Sequence, residues 1–253
     1  MMTLPKVAVI GAGLVGGSAA LLIQAVIPGC EVVIVDIDRQ RAEGQAMDIA
    51  HAGALWRAVH VRAGDYGDVA GSSVIVITAG VAMKSGQSRL DLAKANLEVL
   101  TDILDAVAEG SPDATYVIAT NPVDVLGHIA QRRLGLAAGR VISTGTALDS
   151  ARLRSLLAER LEIAPGAIHA YVLGEHGDSS MIDWSGATIG GRPISYRPAR
   201  MSGSTPSRMS AVPARHHQRH DLFRAQHVGR GPCQAGGQRQ GREGGAGYGH
   251  RPG

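Results

Sequence analysis

Aromatic side chains are scarce in this chain: one Phe, two Trp and five Tyr among 253 residues. Any core must therefore be filled by aliphatic side chains, and the 45% hydrophobic content is enough to build one. Cysteine is nearly absent. Cys30 and Cys233 cannot make a disulfide framework, and nothing pairs with them at a metal-ligand spacing. No apolar stretch is long enough to span a bilayer. Glycine-rich turns interrupt the apolar N-terminal run, so it does not read as a signal peptide, and the cytoplasm is the expected location.

A net positive charge is missing from most of the chain. The formal net charge is +3, yet residues 1–195 hold 15 Lys and Arg against 20 Asp and Glu. Residues 196–253 hold 10 Arg, no Lys and two acids. The basic balance belongs to the last segment alone and says nothing about the partners of the first 195 residues.

What is present begins at Val7-Ala8-Val9-Ile10-Gly11-Ala12-Gly13-Leu14-Val15-Gly16-Gly17. The apolar, β-branched start predicts a buried strand, and the run after Gly16 predicts a helix. In a strand–turn–helix of this kind Gly11 permits the tight turn. Gly13 lets a pyrophosphate approach the backbone, and Gly16 lets helix and strand pack closely. The helix start offers unpaired N–H groups and a positive dipole end to phosphates. A second strand, Glu31–Val35, ends in Asp36, 20 residues after Gly16. An acid there is placed for the adenosine ribose hydroxyls and repels the extra phosphate of NADP, so NAD is the expected cofactor.

Strands and helices then alternate. Strands are predicted near 59–62, 73–78, 115–119 and 140–143, with helices from about Arg39, across 90–107, over 123–134 and over 147–161. The long helix should bury Leu90, Leu97, Leu100, Leu104 and Val107 on one face. Residues 80–88 read as a loop. This order predicts an α/β, Rossmann-type doubly wound parallel sheet. Ligands of such sheets sit beyond the carboxyl ends of the strands, where Gly11, Asp36, Gly80, Thr120 and Asn121 fall. Beyond it, Ile168–Leu173 reads as one more strand and 174–178 as a loop.

Several ordered stretches carry a resemblance: Gly11–Gly16, Ala46-Met47-Asp48-Ile49-Ala50-His51, Ile77–Gly80 followed by Ser88–Leu92, Ala119–Asp124, Gly145–Arg152 and His169–Asp178. Over roughly residues 6–194 the chain resembles the L-lactate/L-malate dehydrogenase family, and is most similar to its bacterial L-lactate branch. The resemblance implies an NAD-binding domain over 1–145 and part of an α+β substrate domain over 146–195. It also implies that Val15, Arg41, Tyr66, Gly80, Thr120 and Asn121 join Gly11, Gly13, Gly16 and Asp36 around the cofactor.

Reducing a 2-oxo acid needs a hydride donor, a proton donor and a cation for the carboxylate. His176 suits the proton donor, since imidazole titrates near neutral pH. Asp149 would orient its ring, and Arg152, on the same helix face, would clamp the substrate carboxylate through two parallel hydrogen bonds. By resemblance Arg89 enters with the 80–88 loop to polarise the reacting carbonyl, and Asn121 adds a hydrogen bond to it. Met83 stands, by resemblance, at the position that discriminates substrates. It is uncharged where malate dehydrogenases carry Arg, which argues against oxaloacetate and leaves room for apolar 2-oxo acids. The resemblance also places Arg154 and His169 at a fructose 1,6-bisphosphate site across the interface of a homotetramer.

Residues 196–253 depart from the family pattern. They hold 11 Gly, 10 Arg, 5 Pro and 5 His, and only Val212, Leu222, Phe223 and Val228 among Val, Ile, Leu and Phe. Four such residues cannot offset the entropy of ordering the segment, so a disordered tail is expected. A basic arm for nucleic acid, a natural extension and translation out of frame of a GC-rich gene compete as its origin. The third fits the composition best, and the scattered arginines make nucleic acid a poor partner. The resemblance implies that the substrate domain continues well past residue 195, so low turnover is expected of this chain.

Four functions follow from this reading: an L-lactate dehydrogenase, a malate or other L-2-hydroxy-acid dehydrogenase, an NAD-binding remnant without turnover, and a nucleic-acid binder acting through the tail. No metal is expected. If Asp36 faces the ribose, NADH will bind more tightly than NADPH in a fluorescence titration; equal affinities would remove Asp36 from that role.

Overall fold

The structure is a computed structural model, and it describes residues 5–55, 59–82, 86 and 88–194. The predicted tail, and Met83 within the 80–88 loop, lie outside the described residues.

Six strands form one parallel sheet: β1 (Lys6–Ile10), β2 (Glu31–Val35), β3 (His60–Ala63), β4 (Val74–Ile77), β5 (Thr115–Ile118) and β6 (Val141–Ser143), in the order β3-β2-β1-β4-β5-β6. The register runs Val9 beside Ile34 and Val76, and Val117 beside Val76 and Ile142. Four helices connect the strands: α1 (Leu14–Val26), α2 (Arg39–Gly53), α3 (Arg89–Val107) and α4 (Val123–Leu134). The strand period of two decides which helix meets which side chain. Val7, Val9, Val32 and Ile34 face Ala20 of α1 and Ala42, Ala46 and Ile49 of α2. Ala8, Ile10, Ile75, Ile77, Tyr116 and Ile118 face Leu100, Ile103, Leu104 and Val107 of α3 and Leu126 of α4. Both faces are covered, which is why the strands read as continuous apolar runs. Tyr116 is the one aromatic residue among the fully buried side chains, and aliphatic residues fill the rest of the core.

Local signals set the helix starts. Asp38 caps α2 by accepting from the Arg41 N–H. Ser88 and Asp91 cap α3 reciprocally, each side chain accepting the other's backbone N–H. Leu90 departs from expectation: it is exposed in the first turn of α3, and Leu100, Leu104 and Val107 further along carry the buried face. Among the described residues no helix is long and apolar enough to cross a membrane.

A smaller α+β part follows, built on α5 (Ala147–Leu161) with β7 (Ile168–His169), β8 (Val172–Leu173), β9 (Met181–Ile182), β10 (Thr188–Ile189) and β11 (Arg192–Pro193). The single strand expected over 168–173 is two. β7 pairs antiparallel with β10, and β8 with β9. The chain passes between the two sheets at Ala170 and Tyr171. Ala170 is buried with Leu153, Ile168, Val172 and Ala187, while Tyr171 is exposed beneath Arg154. A run of alternating apolar residues does not reveal that its two ends pair with different partners.

Leu104 lies against the centre of the sheet and is 1% exposed. Leu104→Ala should lower stability by about 2–5 kcal/mol, read as a shift in denaturant midpoint at constant m-value.

Candidate active site

At the carboxyl end of β1 the chain turns through Gly11, whose φ of 108° is closed to other L-residues. The turn is held on two sides. The Gly11 N–H donates to the Val35 carbonyl at 2.7 Å, and the Thr78 hydroxyl donates to the Gly11 carbonyl at 3.0 Å. A Cβ on Gly16 would sit 1.8 Å from that same carbonyl oxygen, so α1 can start here only with glycine. A Cβ on Gly13 would meet nothing within 4 Å, so the turn is open on that side. Gly13 also caps α1 without a side-chain hydrogen bond, leaving first-turn N–H groups available. Val15 in that turn is exposed.

Asp36 stands beside the turn. Its carboxylate accepts from the Ala12 N–H at 2.6 Å and from the Asp38 N–H at 2.9 Å. Arg41 pairs with Asp38 at 3.4 Å on the exposed start of α2. Tyr66 packs partly against the core; burial pushes its phenol up, and the Asp102 and Asp36 carboxylates push the same way. It therefore stays neutral. An open glycine turn, unpaired helix-start amides and a fixed carboxylate one strand over together fit a dinucleotide.

The ends of β4 and β5 are tied together just beyond. Thr120 donates to the Ala79 carbonyl at 2.7 Å, next to Gly80. Asn96 of α3, 3% exposed, accepts from the Val81 N–H and donates to the Asn121 carbonyl, both at 2.7 Å. Asn121 is exposed and precedes a cis peptide bond to Pro122. Arg89 is the first residue of α3.

The second half of the site rests on α5. Thr146 donates to the Val172 carbonyl at 2.6 Å, and Ser150 accepts from the Val172 N–H at 2.9 Å. These bonds fix α5 against β8 and so place the loop that follows β8. In that loop the His176 ring meets Asp149: Nδ1 lies 2.5 Å from Oδ2. Asp149 is 7% exposed, and its other oxygen is 3.4 Å from Nη1 of Arg152. The His176 backbone N–H donates to Asp124 at 2.6 Å. With Nδ1 engaged, Nε2 is the free end of the imidazole, and an imidazole so oriented can deliver or take a proton.

The structure thus brings together His176, Asp149 and Arg152, and separately Gly11, Gly16 and Asp36. Arg154 lies 6.0 Å over the Tyr171 ring with Nε on the Ser150 carbonyl, and His169 is exposed on β7. Sequence reasoning missed Asn96 and Asp124: Asn96 is a buried amide and Asp124 a carboxylate bonded to a distant backbone N–H, and both features are visible only in the fold. Among the described residues no group of His, Cys, Asp and Glu could hold a metal ion.

The family model for the lactate/malate dehydrogenase NAD-binding domain matches residues 5–143, and the one for the α/β C-terminal domain matches 146–204. The chain belongs to the lactate/malate dehydrogenase family. It is 49% identical over 189 residues to an L-lactate dehydrogenase of Allorhizobium ampelinum, covering 75% of this chain and 61% of that protein. Identity to the Thermus aquaticus L-lactate dehydrogenase is 44% over 204 residues, covering 79% and 65%. Among solved structures, the minor L-lactate dehydrogenase of Enterococcus mundtii matches with a TM-score of 0.72 at 39% identity, over 76% of this chain and 61% of that one. A malate dehydrogenase of Picrophilus torridus matches as well, with a TM-score of 0.72 at 33% identity and the same coverage. This dehydrogenase-family chain spans about three fifths of the length of the relatives it matches. NAD is its cofactor.

Gly16→Ala must displace the Gly11 carbonyl. NADH affinity, read by fluorescence titration, should fall by about tenfold or more, since 1.4 kcal/mol of misplacement suffices; an unchanged affinity would mean that the turn does not carry the dinucleotide.

Proposed function

We propose that this chain is an NAD-dependent dehydrogenase of L-2-hydroxy acids that interconverts L-lactate and pyruvate. The observation that carries the reading is the Asp149–His176 pair with Arg152 three residues further along α5. Bound NADH supplies a hydride. His176 Nε2 would deliver the proton that completes the hydroxyl at the former keto oxygen. The imidazole is left neutral; oxidation of the hydroxy acid runs the same transfer backwards. Asp149 holds the ring by Nδ1 and so orients it, the part a carboxylate plays behind a catalytic histidine. Arg152 is part-exposed, and the N–H donors not engaged by Asp149 are free to take the substrate carboxylate. By the family resemblance, Arg89 and Asn121 polarise the reacting carbonyl.

Met83 gives the preference for pyruvate over oxaloacetate, because it offers no charge to a second carboxylate. The matched lactate dehydrogenases favour the same choice, while the matched malate dehydrogenase structure shows that the fold serves both acids. Fructose 1,6-bisphosphate acting through Arg154 and His169, a homotetramer and a cytoplasmic location belong to the same proposal. The apolar residues beside the site are open: Leu148, Leu173, Met181 and Trp184 are each exposed. Water reaching the site weakens the ionic contacts, so turnover of this chain should be low.

The test is NADH oxidation by the purified 253-residue chain with pyruvate and with oxaloacetate. Pyruvate should be the faster substrate, and His176→Asn should cut the rate by about 10²–10⁴-fold while NADH still binds. Turnover that survives His176→Asn would overturn the assignment.

A further inference from the structure

We propose that Asp124 is a positioning residue, which holds His176 in place by its backbone. This rests on the reading of His176 as the proton donor. Asp124 does not touch the imidazole. Its Oδ2 accepts the His176 backbone N–H at 2.6 Å, and its Oδ1 accepts from the Ser143 hydroxyl at 3.3 Å. The carboxylate thereby joins the first turn of α4, the end of β6 and the loop that carries His176.

That loop is given an anchor outside itself by Asp124. Its internal bonds are short-range: the Gly177 N–H to the Glu175 carbonyl, the Ser180 N–H and hydroxyl to the Gly177 carbonyl, and the Ser179 hydroxyl to the Glu175 carboxylate. Gly174, at a φ of 92°, gives it a freely turning entry. Such bonds shape the loop from within. His176 is fixed at two points, Nδ1 by Asp149 and the backbone N–H by Asp124. The first contact sets the ring orientation, and the second sets the position of the main chain from which the ring projects. A hydrogen bond from an N–H to a carboxylate is among the stronger ones available for this.

The anchor also comes from the right element. Asn121, whose carbonyl Asn96 holds, stands just before α4, and Asp124 is in its first turn. One helix start therefore sets both Asn121 and, through Asp124, the height of His176. The separation of those two groups is the separation a reacting carbonyl must bridge. Misplacement by 1 Å can cost about a hundredfold in rate, so a tether that acts only through the backbone has catalytic consequences.

Two variants separate positioning from general stability. Asp124→Leu removes the acceptor, whereas Asp124→Asn keeps an oxygen for the His176 N–H and an amide that the Ser143 hydroxyl can accept. Hydrogen–deuterium exchange on the 253-residue chain is read by peptide. Asp124→Leu should speed exchange at the His176 amide by about tenfold or more, with β1, β4 and β5 unchanged and with Asp124→Asn close to the parent. In the NADH–pyruvate assay Asp124→Leu should lower kcat by about 30–100-fold with KM within about threefold, and Asp124→Asn should recover most of the loss. Unchanged exchange over 174–180 in Asp124→Leu overturns the tether. So does faster exchange spread evenly through α4, β6 and the main sheet, which marks a structural role only. If the parent chain oxidises no NADH with any 2-oxo acid, the dehydrogenase reading fails, and the exchange arm still decides whether Asp124 holds His176.

Discussion

A carboxylate that is nearly out of water must be met by charge or by N–H groups, and Asp149 is that carboxylate. It accepts His176 on one oxygen and Arg152 on the other. Losing either partner leaves that anion with less to offset its removal from water. The two groups proposed to act on substrate are thus held by a single anion. The packing that buries Asp149 has the same origin. Ser150, next along the helix, is bonded to Val172, and Leu153 lies in the small core with Ile168 and Val172. The stability of the α5–β8 unit and the geometry of the site are therefore one property.

The nucleotide edge obeys a different constraint, the close approach of backbones. Gly11, Gly16 and Thr78 meet within van der Waals limits where β1 and β4 are neighbours, at the point where the strand order reverses. Chain leaving β1 turns to α1 on one face of the sheet, and chain leaving β4 turns to α3 on the other. The crevice that opens between them needs no special sequence beyond the residues that let it form. Asn96 and Thr120 extend the arrangement one strand further, replacing side-chain packing by hydrogen bonds to the chain ends of β4 and β5.

Asp124 links the two regions. Through it the loop carrying His176 is hydrogen-bonded to α4, which packs on the sheet that carries the nucleotide turn. On the proposed reading, a proton donor held on one side must be brought to a cofactor held on the other. A hydrogen bond from main chain to carboxylate does so without using the donor's own side chain.

What the amino-acid sequence determined by itself was local in kind. Apolar runs with a period of two or 3.6 and glycines at fixed offsets were enough for β1 to α5 and the parallel order, because each depends on neighbours a few residues away. The nucleotide turn was equally legible, since its glycines act through their own φ and lack of Cβ. His176, Asp149 and Arg152 were identifiable by residue type and by resemblance. That Asp149 stands between the other two was decided by the tertiary structure, because His176 lies 27 residues away along the chain. The division of 168–173 between two sheets, the exposure of Leu90 and the roles of Asn96 and Asp124 were likewise decided there. In each case the deciding partner is distant in sequence: His169 meets Thr188, Asn96 meets Asn121, and Asp124 meets a backbone N–H that every residue but proline carries. A partner that is only a main-chain amide leaves no mark in the sequence, and the fold alone can select it.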